Sequence, residues 1–331
     1  MYESIPIMNA ILTRRELLRA GAGMLALRTR TPLPVSAVRL PNAVILLFMA
    51  GGPSHLDTFD PKPDASSSVR SRFRAISTAI PGLMISESLP LTAKQMGKVT
   101  LFRGISHGEG IHTRAQYLVQ TGRIPDASFH LPVRKIPYVS KKRVPESVFL
   151  LPPVEGAAVS EGLVLPNPFQ HQPAIMSNEI RGALRLDREL TTLRTSYGEN
   201  SFGQSCLIAR RLVELGVRKI TITMHGWDTH SDMNSRFAYL LPQLDSGFST
   251  LLTDLQQRGL LHSTRVIWAG EFGRSPLINR LGGRDHWPAA MCAAAAGGGV
   301  EGGQVVGSTC KDGSVPNDES ISIEKLSALM A

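Results

Sequence analysis

Histidine and carboxylate side chains recur together in several short polar segments of this chain. In chain order the segments are Gly51-Gly52-Pro53-Ser54-His55-Leu56-Asp57, the loop with His107, Glu109 and His112, His225-Gly226-Trp227-Asp228-Thr229-His230, Glu271-Phe272-Gly273-Arg274 and Gly282-Gly283-Arg284-Asp285-His286-Trp287. Aspartate, glutamate and neutral histidine are the usual ligands of Zn²⁺ and Mn²⁺, and such ions can clamp a phosphoryl or sulfuryl group. The segments therefore indicate a divalent metal or anion site, with a purely structural polar network as the alternative.

Seven side chains in these segments are candidate metal ligands. They are His55, Asp57, Asp228, His230, Glu271, Asp285 and His286. A single histidine is more often a hydrogen-bonded structural residue than a ligand. Six of the nine histidines lie in or beside the polar segments, however, and this concentration favours a shared site.

The elements that must position these residues are short, apolar, β-rich runs, and four of the polar segments directly follow one. The runs are Val44–Ala50, Val99–Gly104, Val217–Met224, Thr264–Gly270 and Met291–Gly297. Helical periodicity predicts helices over Ser235–Arg258 and Gly203–Gly216. Alternation of buried strands with helices predicts an α/β fold, a mostly parallel sheet with helices on both faces. Because the carboxyl ends of parallel strands share one edge, the four loops should converge on one site.

The first 37 residues resemble a twin-arginine export signal. Thr13-Arg14-Arg15-Glu16-Leu17-Leu18-Arg19 precedes the small and apolar run Ala20 to Leu27, and Val35-Ser36-Ala37 suits a signal peptidase. An ordinary amphipathic helix is the alternative, since Arg28 shortens the apolar run. We expect export to the periplasm or cell envelope, a single domain over 38–331, and an irregular excursion or cap over 123–175.

The amino-acid composition limits the kinds of partner that this chain is expected to bind. The formal net charge of +9 would attract phosphate, sulfate or acidic glycans. The sequence has no helix-turn-helix, zinc finger or basic stripe interleaved with aromatics, so nucleic acid is not expected as a partner. It also has no apolar run long enough for a membrane span.

Several blocks of the sequence closely resemble the domain-of-unknown-function 1501 family. They are Ile45 to Pro63, Tyr197-Gly198 through Glu214, Trp227-Asp228-Thr229-His230, Gly270-Glu271-Phe272-Gly273-Arg274 and Gly283-Arg284-Asp285-His286-Trp287. The blocks occur in order over nearly the whole chain. That family looks like a remote branch of the alkaline phosphatase superfamily, so the resemblance implies an alkaline phosphatase/sulfatase-like fold.

The resemblance also implies roles for catalytic candidates. A helix closing at Thr121-Gly122 places His112 at the superfamily's nucleophile position, with Thr113 beside it. Histidine is not the usual nucleophile. A metal or substrate ligand is the preferred interpretation of His112, with a phosphohistidine-like intermediate as the alternative. Arg274 could orient an anion through its planar guanidinium.

Two positions depart from the superfamily pattern. Ala50-Gly51-Gly52 stands where a metal-binding aspartate follows the first strand, and Glu271-Phe272 replaces an Asp-His pair. The stretch from Gly122 to Asp187 and the end at Ala331 look short for the family, as in a truncated copy. The leading hypothesis is an exported hydrolase of phosphate or sulfate esters, holding Zn or Mn and acting on an anionic small molecule or glycan. A non-catalytic envelope binding module with the same fold is the alternative.

Overall fold

The computed structural model describes residues 41–126, 144–150, 163–165, 177–317 and 319–330. The predicted export segment lies outside these residues. Of the predicted excursion over 123–175, only 123–126, 144–150 and 163–165 are described.

The strands are short and mostly buried. They are β1 (Ala43–Met49), β2 (Ala75–Ser77), β3 (Met84–Ser86), β4 (Val99–Ile105), β5 (Ser147–Leu150), β6 (Leu163–Leu165), β7 (Lys219–Met224), β8 (Thr264–Gly270), β9 (Gly273–Arg274), β10 (His286–Trp287), β11 (Met291–Ala296) and β12 (Gln304–Val306).

The helices lie between these strands, except for the last helix, which follows β12. They are α1 (Pro90–Gln95), α2 (His112–Thr121), α3 (Asn178–Leu184), α4 (Thr191–Tyr197), α5 (Ser201–Glu214), α6 (Met233–Gln257) and α7 (Ile323–Leu329), with single 3₁₀ turns at Met96–Lys98, Leu186–Arg188 and Leu261–Ser263. None of the described helices combines the length and the apolar character that crossing a membrane requires.

Eight strands form the central sheet, in the order β12-β4-β11-β8-β1-β7-β5-β6. All neighbouring pairs are parallel except the two that involve β11. The chain reaches β11 directly from the β9–β10 hairpin at the carboxyl edge of β8, without a crossover helix, so β11 must run back antiparallel. The predicted fold class, α/β with a mostly parallel sheet, is confirmed.

Both faces of the sheet are covered, as the completely buried strand β1 shows. Its residues Ile45, Leu47 and Met49 belong to a core cluster that also holds the apolar faces of α5 and α6. The buried residues of α2 and α7 are not part of that cluster, and these two helices pack on each other. This arrangement agrees with helices on both faces.

Strands β1, β4, β7 and β8 all point in the same direction within the sheet. Their carboxyl ends therefore lie at one edge. The loops that leave this edge carry most of the predicted site residues, and they bring side chains together that are more than a hundred residues apart in sequence.

Candidate metal centre

Four side chains meet at the carboxyl edge of the sheet and form what we call the His–Asp cluster: His112, Asp228, His230 and His286. His112 is the first residue of α2, whose last residues and αL cap at Gly122 are those that the sequence predicts. Asp228 and His230 lie in the loop after β7, and His286 begins β10.

The carboxylate of Asp228 is the centre of the cluster. Its Oδ1 lies 3.1 Å from Nε2 of His230 and 3.2 Å from Nε2 of His286, and its Oδ2 lies 3.4 Å from Nε2 of His112. The Nε2 atoms of His230 and His286 are 3.0 Å apart. One ligand atom from each of His112, Asp228 and His286 falls within 4.8 Å of the others. A single ion bonded at about 2 Å to each atom fits such a spacing.

Each histidine of the cluster is held through its other ring nitrogen. The Nδ1 contacts are 2.7 Å from His112 to Oε1 of Glu271, 2.8 Å from His230 to Oδ1 of Asp285 and 2.9 Å from His286 to the carbonyl oxygen of Gly110. With the proton on Nδ1, Nε2 of each ring would carry the lone pair that a metal ion at the cluster needs. Metal-binding histidines almost always have such a carboxylate or carbonyl partner.

Glu271 supports the cluster from below and is completely buried. Its Oε1 accepts hydrogen bonds from the backbone amide of Gly51 and from His112, both at 2.7 Å. Its Oε2 is buried without a hydrogen-bond partner among the described residues. The carbonyl oxygen of Glu271 in turn lies 2.8 Å from Nε2 of His107, which fixes the loop that leads to α2.

Arg274 lies beneath Asp228 and is also fully buried. Its guanidinium contacts Oδ1 of Asp228 at 2.5 Å and donates to the carbonyl oxygens of Gly51, Gly52 and Arg284. Although burial, the largest influence, favours the neutral carboxyl, this hydrogen bond, the Arg274 charge and the contacts with the histidines lower the pKa of Asp228 to about 2. Asp228 is therefore ionised at neutral pH, and the structure places Arg274 as its support, away from solvent.

The pKa values of His286 and His112 are shifted in opposite directions. Burial lowers the pKa of His286, and the nearby charge of Arg274 adds to this effect, so His286 is neutral at pH 7. The hydrogen bond with Glu271 raises the pKa of His112 against the opposing effect of burial. A cation at the cluster would compete with a proton for His112.

The floor of the site is apolar, and its upper side is open. The ring of Phe272 is completely buried and packs 4.5 Å from the His286 ring and 5.0 Å from the His112 ring. Asp228 and His230 expose 46% and 45% of their side chains, so an ion or ligand can reach the cluster from solvent.

The surroundings of Gly51 explain why no aspartate follows the first strand, where the superfamily pattern has one. Its φ is +115°, and a Cβ on it would lie 2.2 Å from the backbone nitrogen of Asp228. No side chain fits there while the loop after β7 approaches so closely. The backbone of Gly51 instead contacts Glu271 and Arg274 through its amide and carbonyl groups.

Two of the predicted ligands lie outside the cluster, in the buried interior. Asp57 is paired with Arg284 at 2.8 Å and accepts from the Ser54 hydroxyl at 2.5 Å. His55 is fully buried, its Nε2 lies 2.8 Å from the carbonyl oxygen of Gly313, and burial lowers its pKa. The structure does not bring these two side chains to Asp228.

The remaining predicted residues adjoin the cluster without sharing its centre. Glu271 and Asp285 hold the Nδ1 atoms of His112 and His230, and Thr113 is the half-buried second residue of α2.

Asn279, which the sequence analysis missed, donates through Nδ2 to the carbonyl oxygen of His230 at 3.0 Å. A lone asparagine in a loop without periodicity gives no sequence signal for this contact.

The comparison with protein families decides the family of this chain. The model of the family described as "Protein of unknown function (DUF1501)" matches residues 41–145 and 165–331. The chain belongs to this family. The resemblance noted in the sequence is thereby confirmed, and none of the functionally curated proteins matches this DUF1501 chain.

This DUF1501 protein is similar to three solved structures whose names are those of a phosphatase, a synthase and a sulfatase. The alkaline phosphatase of the Antarctic bacterium TAB5 is 10% identical, with 88% of this chain and 97% of that chain covered and a TM-score of 0.40. The lipoteichoic acid synthase LtaP of Listeria monocytogenes is 8% identical, with 84% and 70% covered and a TM-score of 0.42. The PsFucS1 sulfatase of Pseudoalteromonas sp. is 16% identical, with 88% and 66% covered and a TM-score of 0.38.

Proposed function

We propose that this DUF1501 protein is an exported, metal-dependent hydrolase of phosphate or sulfate esters. The observation that carries the proposal is the orientation of three histidines toward one carboxylate. His112, His230 and His286 each use Nδ1 for a protein acceptor and direct Nε2 to Asp228. Three Nε2 atoms around one carboxylate bring together the imidazole and carboxylate ligands that Zn²⁺ and Mn²⁺ use.

The donor set suits Zn²⁺ or Mn²⁺. Imidazole nitrogens with a single carboxylate fit the borderline transition metals better than Mg²⁺ or Ca²⁺, which prefer all-oxygen sites. Such an ion would polarise the ester and lower the pKa of a bound water. The ionised Asp228 and the neutral His286 are already in the protonation states that binding requires.

Water is the nucleophile that this geometry favours. Both ring nitrogens of His112 are directed at carboxylates, Nδ1 at Glu271 and Nε2 at Asp228, so the ring is held as a ligand and does not face solvent as an attacking group. The anionic part of the ester would lie against the amino end of α2, where Thr113 follows His112, because backbone amides there favour anions.

Export is a part of the proposal that rests on sequence alone. The twin arginines Arg14-Arg15 and the small residues Val35-Ser36-Ala37 support it. Fusing residues 1–37 to a reporter should direct the reporter to the periplasm, and Arg14→Lys with Arg15→Lys should prevent this. A reporter that stays in the cytoplasm with the native segment would remove export from the proposal.

The second candidate function is a non-catalytic binding module, and the burial of Arg274 favours it. A phosphoryl or sulfuryl group in a catalytic site usually meets a free cationic donor, whereas Arg274 is hydrogen-bonded within the protein. This module would bind the same metal and anion and show no turnover.

Hydrolysis of chromogenic esters separates the two functions. We expect the purified protein to hydrolyse 4-nitrophenyl phosphate or 4-nitrophenyl sulfate when Zn²⁺ or Mn²⁺ is supplied. His230→Ala should reduce kcat/KM at least about 100-fold, because it removes a ligand. His225→Ala is the matched control, since His225 is an exposed histidine of the same loop outside the cluster. Metal binding without hydrolysis of either ester would favour the binding module.

A further inference from the structure

A second concave surface lies outside the His–Asp cluster, along the segment that follows β1. It is a cavity of about 830 Å³, within the size range of ligand pockets. Four cationic side chains line it, and we call it the basic cavity: Lys62, Arg70, Arg72 and Arg74. None of its described lining residues is acidic.

The four cations differ in how far other side chains neutralise them. Lys62 lies 3.1 Å from the buried Asp60, and Arg74 lies 2.7 Å from Glu87. Arg70 and Arg72 are exposed, and within the described part of the chain no carboxylate pairs with either guanidinium. Two uncompensated positive charges on one concave wall repel each other, and a bound anion would relieve that repulsion.

Apart from Ser67 and Ser71, the rest of the lining is apolar and mostly aliphatic. Pro61, Pro63, Ala75 and Met84 contribute to it, and Phe73 is the one aromatic residue among the described lining. Phe73 already stacks on Phe237 at 6.4 Å. Single-stranded nucleic acids are held on successive aromatic side chains, which this cavity does not offer. The charge of the described lining and its single aromatic residue therefore favour a charged polysaccharide over a single-stranded nucleic acid.

We propose that the basic cavity binds a sulfated or phosphorylated polysaccharide, whose anionic groups contact Arg70 and Arg72. Planar guanidinium groups bind sulfate and phosphate oxygens in pairs, so two exposed arginines give both affinity and orientation. This inference depends on the proposed function only for the class of substrate, which is a phosphate or sulfate ester. Binding here requires no metal.

The basic cavity adjoins the loop that carries His286. The carbonyl oxygen of Val69 accepts from Nη2 of Arg284 at 2.8 Å, and that of Ser68 accepts from the amide of Ile278 at 2.9 Å. A polymer longer than one sugar could therefore contact the cavity while another unit lies at the carboxyl edge of the sheet. The cavity would then select polymeric over monomeric esters.

Titration calorimetry of the full chain with dextran sulfate tests this site, with uncharged dextran as the negative control and a chelator present throughout. We expect dextran sulfate to bind at low ionic strength, to bind more weakly at high ionic strength, and to lose at least about tenfold in affinity in Arg70→Gln/Arg72→Gln. The matched control is Arg218→Gln/Lys219→Gln, which removes the same charge from exposed positions at the amino end of β7. It should change the affinity less than twofold.

Three results would overturn the proposal: no binding of dextran sulfate, equal losses in the two double variants, or tighter binding of a single-stranded oligonucleotide or of anionic phospholipid vesicles than of dextran sulfate. If Arg70→Gln/Arg72→Gln fails to fold, as judged by circular dichroism, the single variants decide the question in the same way. Because the chelator removes any contribution of a metal, binding that survives here, together with no ester hydrolysis in a separate assay that supplies Zn²⁺ or Mn²⁺, would reject the proposed function and keep this site.

Discussion

At the scale of single residues, the three histidines of the cluster differ in what holds Nδ1. His112 is held by a carboxylate with no exposed surface, His230 by the carboxylate of Asp285, which is 59% exposed, and His286 by a backbone carbonyl oxygen. A buried acceptor fixes the ring more firmly than an exposed one, since solvent screens the exposed pair and competes for it. Glu271 should therefore contribute more to metal affinity than Asp285 does.

We therefore expect Glu271→Gln to weaken Zn²⁺ binding by about 10–100-fold, the range seen for residues that orient metal-binding histidines. Asp285→Asn should weaken it less than Glu271→Gln, because Asp285 is exposed. Competition titrations with a chromogenic chelator give both values. If Asp285→Asn costs as much affinity as Glu271→Gln or more, the ranking by burial is incorrect.

Asp60, in the buried interior, gives a prediction for acid stability. Burial alone would raise its pKa, but Arg103, Lys62, His55 and the Thr309 hydroxyl together lower it from 3.8. An acid whose folded pKa is lowered stabilises the protein above its unfolded pKa, and this contribution is lost as the pH falls through the folded pKa. Replacing it should matter at neutral pH and not in strong acid.

Asp60→Asn should thus lower the free energy of unfolding at pH 7 by about 3 kcal/mol, since it leaves buried cations without their partner. The difference from the wild type should shrink as the pH is lowered below 3.8. Urea unfolding at several pH values measures this. A difference that stays constant down to the acid limit would show that Asp60 acts through shape rather than charge.

At the scale of elements, the strands that carry the site could be predicted closely from sequence. The run Thr264–Gly270 is β8 residue for residue, and the predicted helix Ser235–Arg258 differs from α6 by two residues at its start and one at its end. Continuous buried apolar runs and a long amphipathic repeat give strong signals. The short strands β5, β6 and β12 give none, because three or four residues are too few for a period.

The direction of β11 could not be predicted because it follows from the β9–β10 hairpin. The positions of His55 and Asp57 could not be predicted for a different reason. The strand-end argument places every polar residue after a strand at the site, but Gly51 and Gly52, both with positive φ, turn the chain back into the interior after β1. Asp57 then pairs with Arg284, about two hundred residues later. Only tertiary contacts decide which of the strand-end residues face outward. His112, Asp228, His230 and His286 do so.

Gly51→Ala tests whether this turn positions the site. The new Cβ would lie 2.2 Å from the backbone of Asp228 and would stand on a residue with φ of +115°. We expect the free energy of unfolding to fall by about 2 kcal/mol or more, and Zn²⁺ affinity to fall with it. Gly108→Ala, in the loop between β4 and α2, is the control because a Cβ there has open space around it. Equal stability of the two variants would contradict this role for Gly51.

At the scale of the whole molecule, the described residues place two anion-attracting features on one protein of net charge +9. In our proposals, the His–Asp cluster takes a cation and through it an ester, and the basic cavity takes the charged groups of a longer chain. Positive charge concentrated beside a site raises the local concentration of anionic ligands, and salt weakens this effect. The sequence indicated the sign of the charge, but Arg70 and Arg72 share a cavity wall only after folding.

Metal binding should also stabilise the folded molecule as a whole. An ion that binds the folded chain alone should raise the free energy of unfolding by about 3 kcal/mol at a hundredfold excess over its Kd. The increase should disappear in His230→Ala/His286→Ala and persist in His225→Ala.

The most direct test of the central claim is scanning calorimetry of the purified protein, with and without a chelator, together with elemental analysis of the same sample. We predict about one equivalent of Zn or Mn per chain, a lower Tm after chelation, and recovery of the Tm when the ion is returned. His230→Ala/His286→Ala should hold no metal and should not respond to the chelator. A wild-type protein that contains no metal and gives the same Tm with and without chelator, even with Zn²⁺ or Mn²⁺ in excess, would contradict the metal centre.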